Sequence, residues 1–501
     1  MRRSPATILA VIAFGVFVAA DDLTVVSTML RQIAFDLELV LPDQLDKVAW
    51  IVNVYLIAYV VVMPFIGRVS DIVGRRAVYM AALGLFLAGS IWVPLAPSYN
   101  WFLVGRILTA LGGGAMVPVG MAIIADVYHS RERATAMGIL GAIDTAGWVW
   151  GPLYGAVLVR WLTWQWQFYL NIPLSLLGLA AAWWALADLP QPQLTRRGID
   201  WLGTALLTIF LLALNIALLG SGDVGAAGGF ATAAETQATW SSLPFYVTAA
   251  IALALFLASQ RRLANHPTTP PLLDLSLFRR LNFTPAVLVN FIVGAVLIVA
   301  MVNVPLVVNV LEGDVGQAAL QSGYLLSGMT GAMAILAYVG GRATARASYR
   351  PVTAVGLLLC TLGLGLMGWT WDAAVGYGQM GWQLVILGMG FGLVIAPIGT
   401  AVINAAPPDQ RGIASSLVIV MRLIGMSVGL AGLTAWGLER FNALRVTITL
   451  PDLTDPTYFT QLVEGLTRIT VTVLAETFLI SAGLAAVAFL ISLRLQRDEE
   501  A

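Results

Sequence analysis

The sequence predicts an all-α membrane protein of fourteen transmembrane helices, built as two six-helix bundles with two further helices inserted between them. Three observations carry this. Of 501 residues, 59% are hydrophobic and 11% charged, with a mean hydropathy of +0.85, whereas an ordinary soluble domain is about a quarter charged. Apolar runs of about 20 residues, enough to cross a hydrocarbon core as helix, recur along the chain with no soluble domain between them. A segment near residue 133 also returns near residue 411, the mark of a chain with two related halves.

Apolar runs bounded by charges and Gly/Pro punctuation start near residues 7, 47, 77, 100, 133, 166, 201, 244, 282, 318, 351, 379, 411 and 466. The opening "MRRS" and its apolar run have the outline of a signal peptide, but read as the first helix. With the N-terminus placed inside, the even-numbered connections and the termini hold nineteen of the twenty-seven Lys and Arg residues. The outside segments hold six, and Arg106 and Arg422 fall within spans. That asymmetry orients the chain with both termini cytoplasmic in a cytoplasmic membrane.

Two Pro-rich stretches, "LPQPQLTRRGID" (189–200) and "NHPTTPPLLDL" (265–275), bracket spans 7 and 8. The expected division is therefore an N-terminal bundle over 1–188, a linker with the inserted pair over 189–281 and a C-terminal bundle over 282–501. The longest outside connection is expected over about 438–465, where a loop of that length is functional or ordered by a partner. "RATAMGILGAIDTAGWVWG" from Arg133 and "RGIASSLVIVMRLIGMSVG" from Arg411 align without a gap at a spacing of 278, which sets Gly147 with Gly425, Gly151 with Gly429 and Asp144 with Arg422.

Several chemistries drop out. Cys360 is the only cysteine, Lys47 the only lysine, and His129 and His266 the only histidines. There is thus no intramolecular disulfide, no zinc ligand set and no phosphate-loop lysine. No catalytic constellation points to an enzyme, and nothing points to nucleic acid. Any work the protein does draws on another energy source.

"FVAADDLTVV" (17–26) places Asp21 and Asp22 inside the first span. An ionised carboxylate at that depth costs about 2.5 kcal/mol or more, so it persists facing a cavity, paired or protonated. Adjacent residues point about 100° apart on a helix, so the two acids are expected to see different surfaces. One of the two suits a proton carrier and the other its helper or a packing acid; the bland alternative puts both at a wet helix mouth. Asp144 and Arg422 are expected to pair across the axis as an ion lock, the alternative being that Arg422 bonds within its own bundle. Glu476 is a further intramembrane acid with no evident partner. Trp148, Trp150, Tyr154, Trp50, Tyr55 and Tyr59 line an aromatic cavity or pack against helices and lipid.

"GRVSDIVGRR" (67–76) joins spans 2 and 3. Gly67 and Gly74 suit a tight turn, Asp71 suits a neighbouring helix N-terminus, and Arg75 and Arg76 suit the headgroup zone. An ordinary basic loop explains the arginines but not the glycine spacing about the acid. The stretch is identical in pattern to "GxxxDxxGRR", the signature loop of the major facilitator superfamily; "GGRATARASYR" (340–350) is a degenerate second copy. "GWVWGPLYG", with Gly147, Gly151, Pro152 and Gly155, reads alone as a packing stripe and resembles the antiporter motif of that superfamily's exporters. "GRILTALGGGAMVP", with Arg106, resembles their helix 4 motif, and "WQWQFYLNIP" and "GIDWLG" resemble the fourteen-helix drug:proton antiporter branch.

Within that branch, "WIVNVYLIAYVVVMPFIGRVSD", "GLVIAPIGTAVINAAPPDQRGIASSLVIVMRLIGMSVGLAGLTAWGLERFN" and "AETFLIS" are similar to actinobacterial lipid (triacylglyceride) exporters. The resemblance implies proton-coupled export of lipids or lipophilic drugs, driven by the proton gradient without a cofactor, by a monomer working beside an extracytoplasmic lipid-carrying lipoprotein. It places the proton-coupling acid on Asp22 and the helix 11 arginine on Arg422. The family's partner acid falls on Thr145, with Asp144 one position earlier. The competing expectations are a general multidrug efflux pump and a non-transporting scaffold for the lipoprotein.

Overall fold

The computed structural model describes residues 4–39, 45–189, 200–219, 242–264, 271–312, 315–448 and 455–496. Most of both Pro-rich stretches and the middle of the expected outer segment lie outside the described residues. Fourteen long helices account for nearly all of the rest. The N-terminal six are α1 (Pro5–Asp36), α2 (Leu45–Val73), α3 (Arg75–Trp92), α4 (Tyr99–Val127), α5 (Ser130–Trp161) and α6 (Gln165–Ala185). Two follow, α7 (Trp201–Leu219) and α8 (Leu243–Leu263), and then α9 (Phe283–Leu311), α10 (Val315–Arg346), α11 (Tyr349–Thr370), α12 (Tyr377–Ala405), α13 (Arg411–Arg445) and α14 (Tyr458–Ser492).

Local chemistry sets these bounds. Ser4 caps α1 by accepting from the Thr7 amide at 3.2 Å, with Pro5 opening the helix. Gly74 alone separates α2 from α3, at φ 111, a conformation that costs a side chain dearly. Thirteen of the helices are long and apolar enough to cross a membrane; α5 is 32 residues long but carries Arg131, Glu132, Arg133, Asp144 and Arg160. The chain is a multi-pass membrane protein.

Two expectations change. The last span starts at Tyr458 rather than near 466, and α13 continues to Arg445. The outer segment is therefore helical over most of 438–465 instead of a long loop. At about 1.5 Å per residue, each of these 35-residue helices is about 52 Å long, far more than the hydrocarbon core requires. In the short connection, the Asp455 carboxylate accepts from the Thr457 amide and hydroxyl at 2.8 and 2.7 Å, which holds it below the usual carboxylate range.

The repeat is visible in the packing. Gly147 and Gly151 bring α5 against the α1 backbone at Phe17 and Asp21, and Gly425 and Gly429 bring α13 against the α9 backbone at Phe291 and Ala295. A Cβ at Gly151 would stand 2.9 Å from the Asp21 carbonyl oxygen, and one at Gly425 would stand 2.0 Å from that of Phe291. Gly155 is buried on the same helix; the side chain of Pro152 lies outside the described ones. α5 packs on α1 as α13 packs on α9. A second correspondence joins the halves: Gly67 on α2 meets Gly412 and Ser416 on α13, and Gly341 on α10 meets Ala134 and Gly138 on α5, partners that are again 278 residues apart.

α7 and α8 pack on each other, and α7 leans on α2 and α13, one of the two seams between the halves. Asp200, buried at the start of α7, accepts from the Gly203 amide and from Gln260 Nε2 on α8, both at 2.7 Å. Gln260 in turn accepts from the Leu273 amide at 3.0 Å. This network is what the "GIDWLG" stretch builds.

Candidate transport site

Asp22 is fully buried at the middle of α1. Its Oδ2 lies 3.0 Å from Arg106 Nη1 of α4, itself buried, and its Oδ1 accepts from Asn171 Nδ2 of α6 at 3.3 Å. The Arg106 guanidinium also stacks on the Tyr55 ring of α2, 4.2 Å from the centroid. Asp21, likewise buried, accepts from Gln167 Nε2 of α6 at 3.1 Å. The expectation that the two acids face different surfaces is corrected here: both reach α6, because Gln167 and Asn171 sit one helical turn apart and each answers one carboxylate. Neither acid reaches the surface of the molecule. Removing one partner of such a buried pair leaves an uncompensated charge and is costly.

Asp144 on α5 and Arg422 on α13 are both half-buried. They sense each other's charge, yet the expected salt bridge is not formed within 4 Å. Arg422 Nε instead donates to Asn290 Oδ1 of α9 at 3.3 Å. The physical reason lies in the packing: the Arg422 backbone is wedged against Gly294 of α9, which turns its side chain toward Asn290 within its own bundle. Thr145, where the lipid exporters carry their acid, is buried and donates to the Gly141 carbonyl of its own helix at 2.8 Å.

Hydrogen bonds and ion pairs between the two bundles gather at the end carrying the α2–α3 turn. Asp71 accepts from the Gly412 amide at the N-terminus of α13 at 3.0 Å and pairs with Arg75 at 2.5 Å. Arg75 and Arg411 share Asp126, at 3.1 and 3.3 Å. Arg68 donates to the Asp409 carbonyl and Ser415 to that of Pro118. Arg133 pairs with Asn404, which bonds Tyr349. Arg76 turns away and binds the Trp183 carbonyl of α6. Gly67 does not shape the turn, as expected from the sequence, but lets α2 touch Gly412. With this end fastened, the molecule is closed at the α2–α3 side.

Glu476 does have a partner: Arg440 of α13 grips it with two bonds of 2.8 and 2.9 Å near the middle of α14. The expected aromatic cavity resolves into buried rings and surface rings. Tyr55 and Tyr59 are buried, whereas Trp150, stacked on Tyr154 at 6.2 Å, is half exposed. Sequence reasoning missed Gln167, Asn171, Asn290 and Asp126. Polar residues spaced four apart in "WQWQFYLNIP" were the available signal for the first two.

A buried acid–arginine pair inside one helix bundle, beside a seam fastened at one end, defines a membrane transporter rather than an enzyme. Residues 12–430 match the Major Facilitator Superfamily model, and the chain belongs to that superfamily. Among curated relatives, a triacylglyceride transporter of Mycolicibacterium hassiacum is 33% identical over 85% of this chain and 78% of its own. One of Mycobacterium tuberculosis is 32% identical over 89% and 85%, and a probable triacylglyceride transporter of Mycobacterium leprae is 30% identical over 97% and 96%. Among solved structures, a human organic anion transporter (TM-score 0.61, 15% identity, 98% and 99% covered) and a proton:xylose symporter (0.62, 14%, 97% and 94%) share the fold.

Proposed function

We propose that this protein is a proton-coupled exporter of lipids of the triacylglyceride class, and of lipophilic compounds that resemble them, across the cytoplasmic membrane. It works by alternating access, with both termini cytoplasmic and the α2–α3 turn at the inner face. The observation that carries this reading is the fully buried Asp22–Arg106 pair at 3.0 Å, an acid that gains or loses a counter-charge within the transporting bundle. The names of the relatives support the lipid class, and the arginines around the fastened end support the orientation. The apolar character of the helices, and the lack among the described residues of a charged cluster suited to a polar solute, fit such a cargo.

In the cycle, Asp22 takes a proton from the outside and loses it to the inside, Asp21 serves as its helper, and the Asp71–Gly412 and Asp126–Arg411 contacts brace the inner gate. The long α13–α14 pair is the element on which an extracytoplasmic lipoprotein docks to receive cargo. The test uses purified protein in vesicles with an imposed proton gradient. Wild type moves a fluorescent triacylglycerol analogue and protons in opposite directions, and Asp22→Asn does not. Wild-type export by a normally folded Asp22→Asn protein refutes the reading.

A further inference from the structure

Two sets of charged groups lie apart in this structure, the bonded Asp22–Arg106 pair within the N-terminal bundle and Asp144 and Arg422 on different bundles, which feel each other without bonding, and one pair of side chains feels both sets. Tyr55 and Tyr59, one turn apart on α2, are buried and stacked with centroids 5.8 Å apart and planes inclined by 21°. Tyr55 carries the Arg106 guanidinium on its face and feels the charge of Asp22. Tyr59 feels both Asp144 and Arg422. Glycines of α4 hold the stack in place: a Cβ at Gly114 would lie 2.6 Å from the Tyr59 carbonyl oxygen, and one at Gly113 would lie 3.1 Å from the Tyr55 hydroxyl. The stack is therefore pressed onto the helix that carries Arg106, with no slack between them.

We propose that the Tyr55–Tyr59 stack is the positioning element that transmits the state of the Asp22–Arg106 pair to the Asp144–Arg422 face of the seam. The inference rests on the proton-coupled reading above. With Asp22 charged, Arg106 divides itself between the carboxylate and the Tyr55 ring. Its Nε has no hydrogen-bond partner, so when a proton neutralises Asp22 the aromatic face becomes the main compensation for a buried guanidinium that keeps its charge. Arg106 then settles onto Tyr55, and because core side chains are close-packed, the ring displaces its stacked neighbour rather than moving alone. Tyr59, which feels an acid of one bundle and an arginine of the other from a helix that packs on the arginine's own helix, changes its place relative to both. Proton binding at one site thereby alters how the two bundles hold each other at a second.

The experiment compares wild type, Tyr55→Leu, Tyr55→Phe, Tyr59→Leu and Asp22→Asn as purified full-length proteins in phosphatidylethanolamine/phosphatidylglycerol vesicles, with a fluorescent triacylglycerol analogue and a luminal pH dye. Gradient-driven accumulation and gradient-free exchange of the analogue are read separately. The leucine variants should lose about tenfold in accumulation while exchange stays within about twofold, a loss typical of coupling between sites. They should also admit protons without cargo. Tyr55→Phe, which keeps the ring over Arg106, should retain accumulation. The proposal is overturned if Tyr55→Leu or Tyr59→Leu accumulates as wild type does, or if Tyr55→Phe is as damaged as Tyr55→Leu. Tyr59→Leu leaves the Asp22–Arg106 contact in place and decides the matter even where Tyr55→Leu yields no folded protein. An Asp22→Asn protein that still accumulates overturns the proton-coupled reading itself, whereas an inactive Asp22→Asn beside unaffected tyrosine variants overturns only the relay.

Discussion

Removing one member of the Asp22–Arg106 pair should destabilise the protein, and the two single variants should differ in how acid affects them. At a separation of 3.0 Å and an effective dielectric constant of about 20, the Coulomb attraction is about 5.5 kcal/mol. Loss of one partner of a buried pair typically costs about 3–5 kcal/mol, most of it the penalty on the charge left behind. Arg106→Met strands a carboxylate among Asn171 and apolar helices. A stranded carboxylate favours its neutral form in the folded state, so the folded variant binds more protons than the unfolded chain, and its stability rises as pH falls. Asp22→Asn strands a guanidinium, which cannot lose its proton, so acid gives no relief. The double variant Asp22→Asn/Arg106→Met removes both charges and should be more stable than either single one. The assay is the half-inactivation temperature of the detergent-purified proteins, followed by size exclusion between about pH 5 and about pH 8. Equal acid responses in the two single variants, or a double variant whose loss is the sum of theirs, would refute the reasoning.

Other perturbations test other parts of the fold. Gly412→Ala would put a Cβ 2.3 Å from the Gly67 carbonyl oxygen. Overpacking of about 1–3 kcal/mol at a fastened seam should shift the population toward an opened α2–α3 end, read as longer distances between spin labels on the two bundles; an unchanged distribution counts against the gate. Asp200→Ala leaves the Gly203 amide and the Gln260 amide without their shared acceptor, an expected loss of about 1–3 kcal/mol. Faster hydrogen exchange over 201–204, over 260–264 and at Leu273 is the readout, and unaltered protection there would contradict it. Ser348 holds φ 149 at the position equivalent to Gly74 in the second half, a backbone region that costs a non-glycine residue about 1–3 kcal/mol. Ser348→Gly should therefore raise thermal stability, and a fall would show that the serine side chain matters more than the strain.

The helices were legible because a bilayer imposes one rule on every span, an unbroken apolar run, and thirteen of the fourteen starts fell within three residues of the observed ones. The exception, α14, begins early because its first turns, "YFTQLVEGLTR", are amphipathic helix with no membrane to require them. The repeat was equally legible, since close helix contact demands glycine and the demand recurs at Gly147 and Gly425. Partnerships were harder. Asp22 stood out as an acid in oil, and Arg106 as a base in oil, but nothing in either stretch says that α1 and α4 bring them together. Asp144 and Arg422 were set opposite each other by the repeat register, which fixes helices and not rotamers; Gly294 and Asn290 decide where the arginine goes. Glu476 lacked a partner only because Arg440 was assigned to a loop that is in fact helix.

The docking of α7 on α2 and α13 makes the molecule's outline lopsided. In the alternating-access reading proposed above, the halves slide along two flanks, and here one of them is upholstered by an extra pair of helices that travels with the protein. Among the described residues, the inserted helices do not pack in this way on the opposite flank, where α5 meets α10, and that flank is left to take its boundary from acyl chains. Bilayer thickness, chain saturation or tension should therefore lean on the rocking motion from a single side, and a change of host lipid should alter turnover most through residues of α5 and α10.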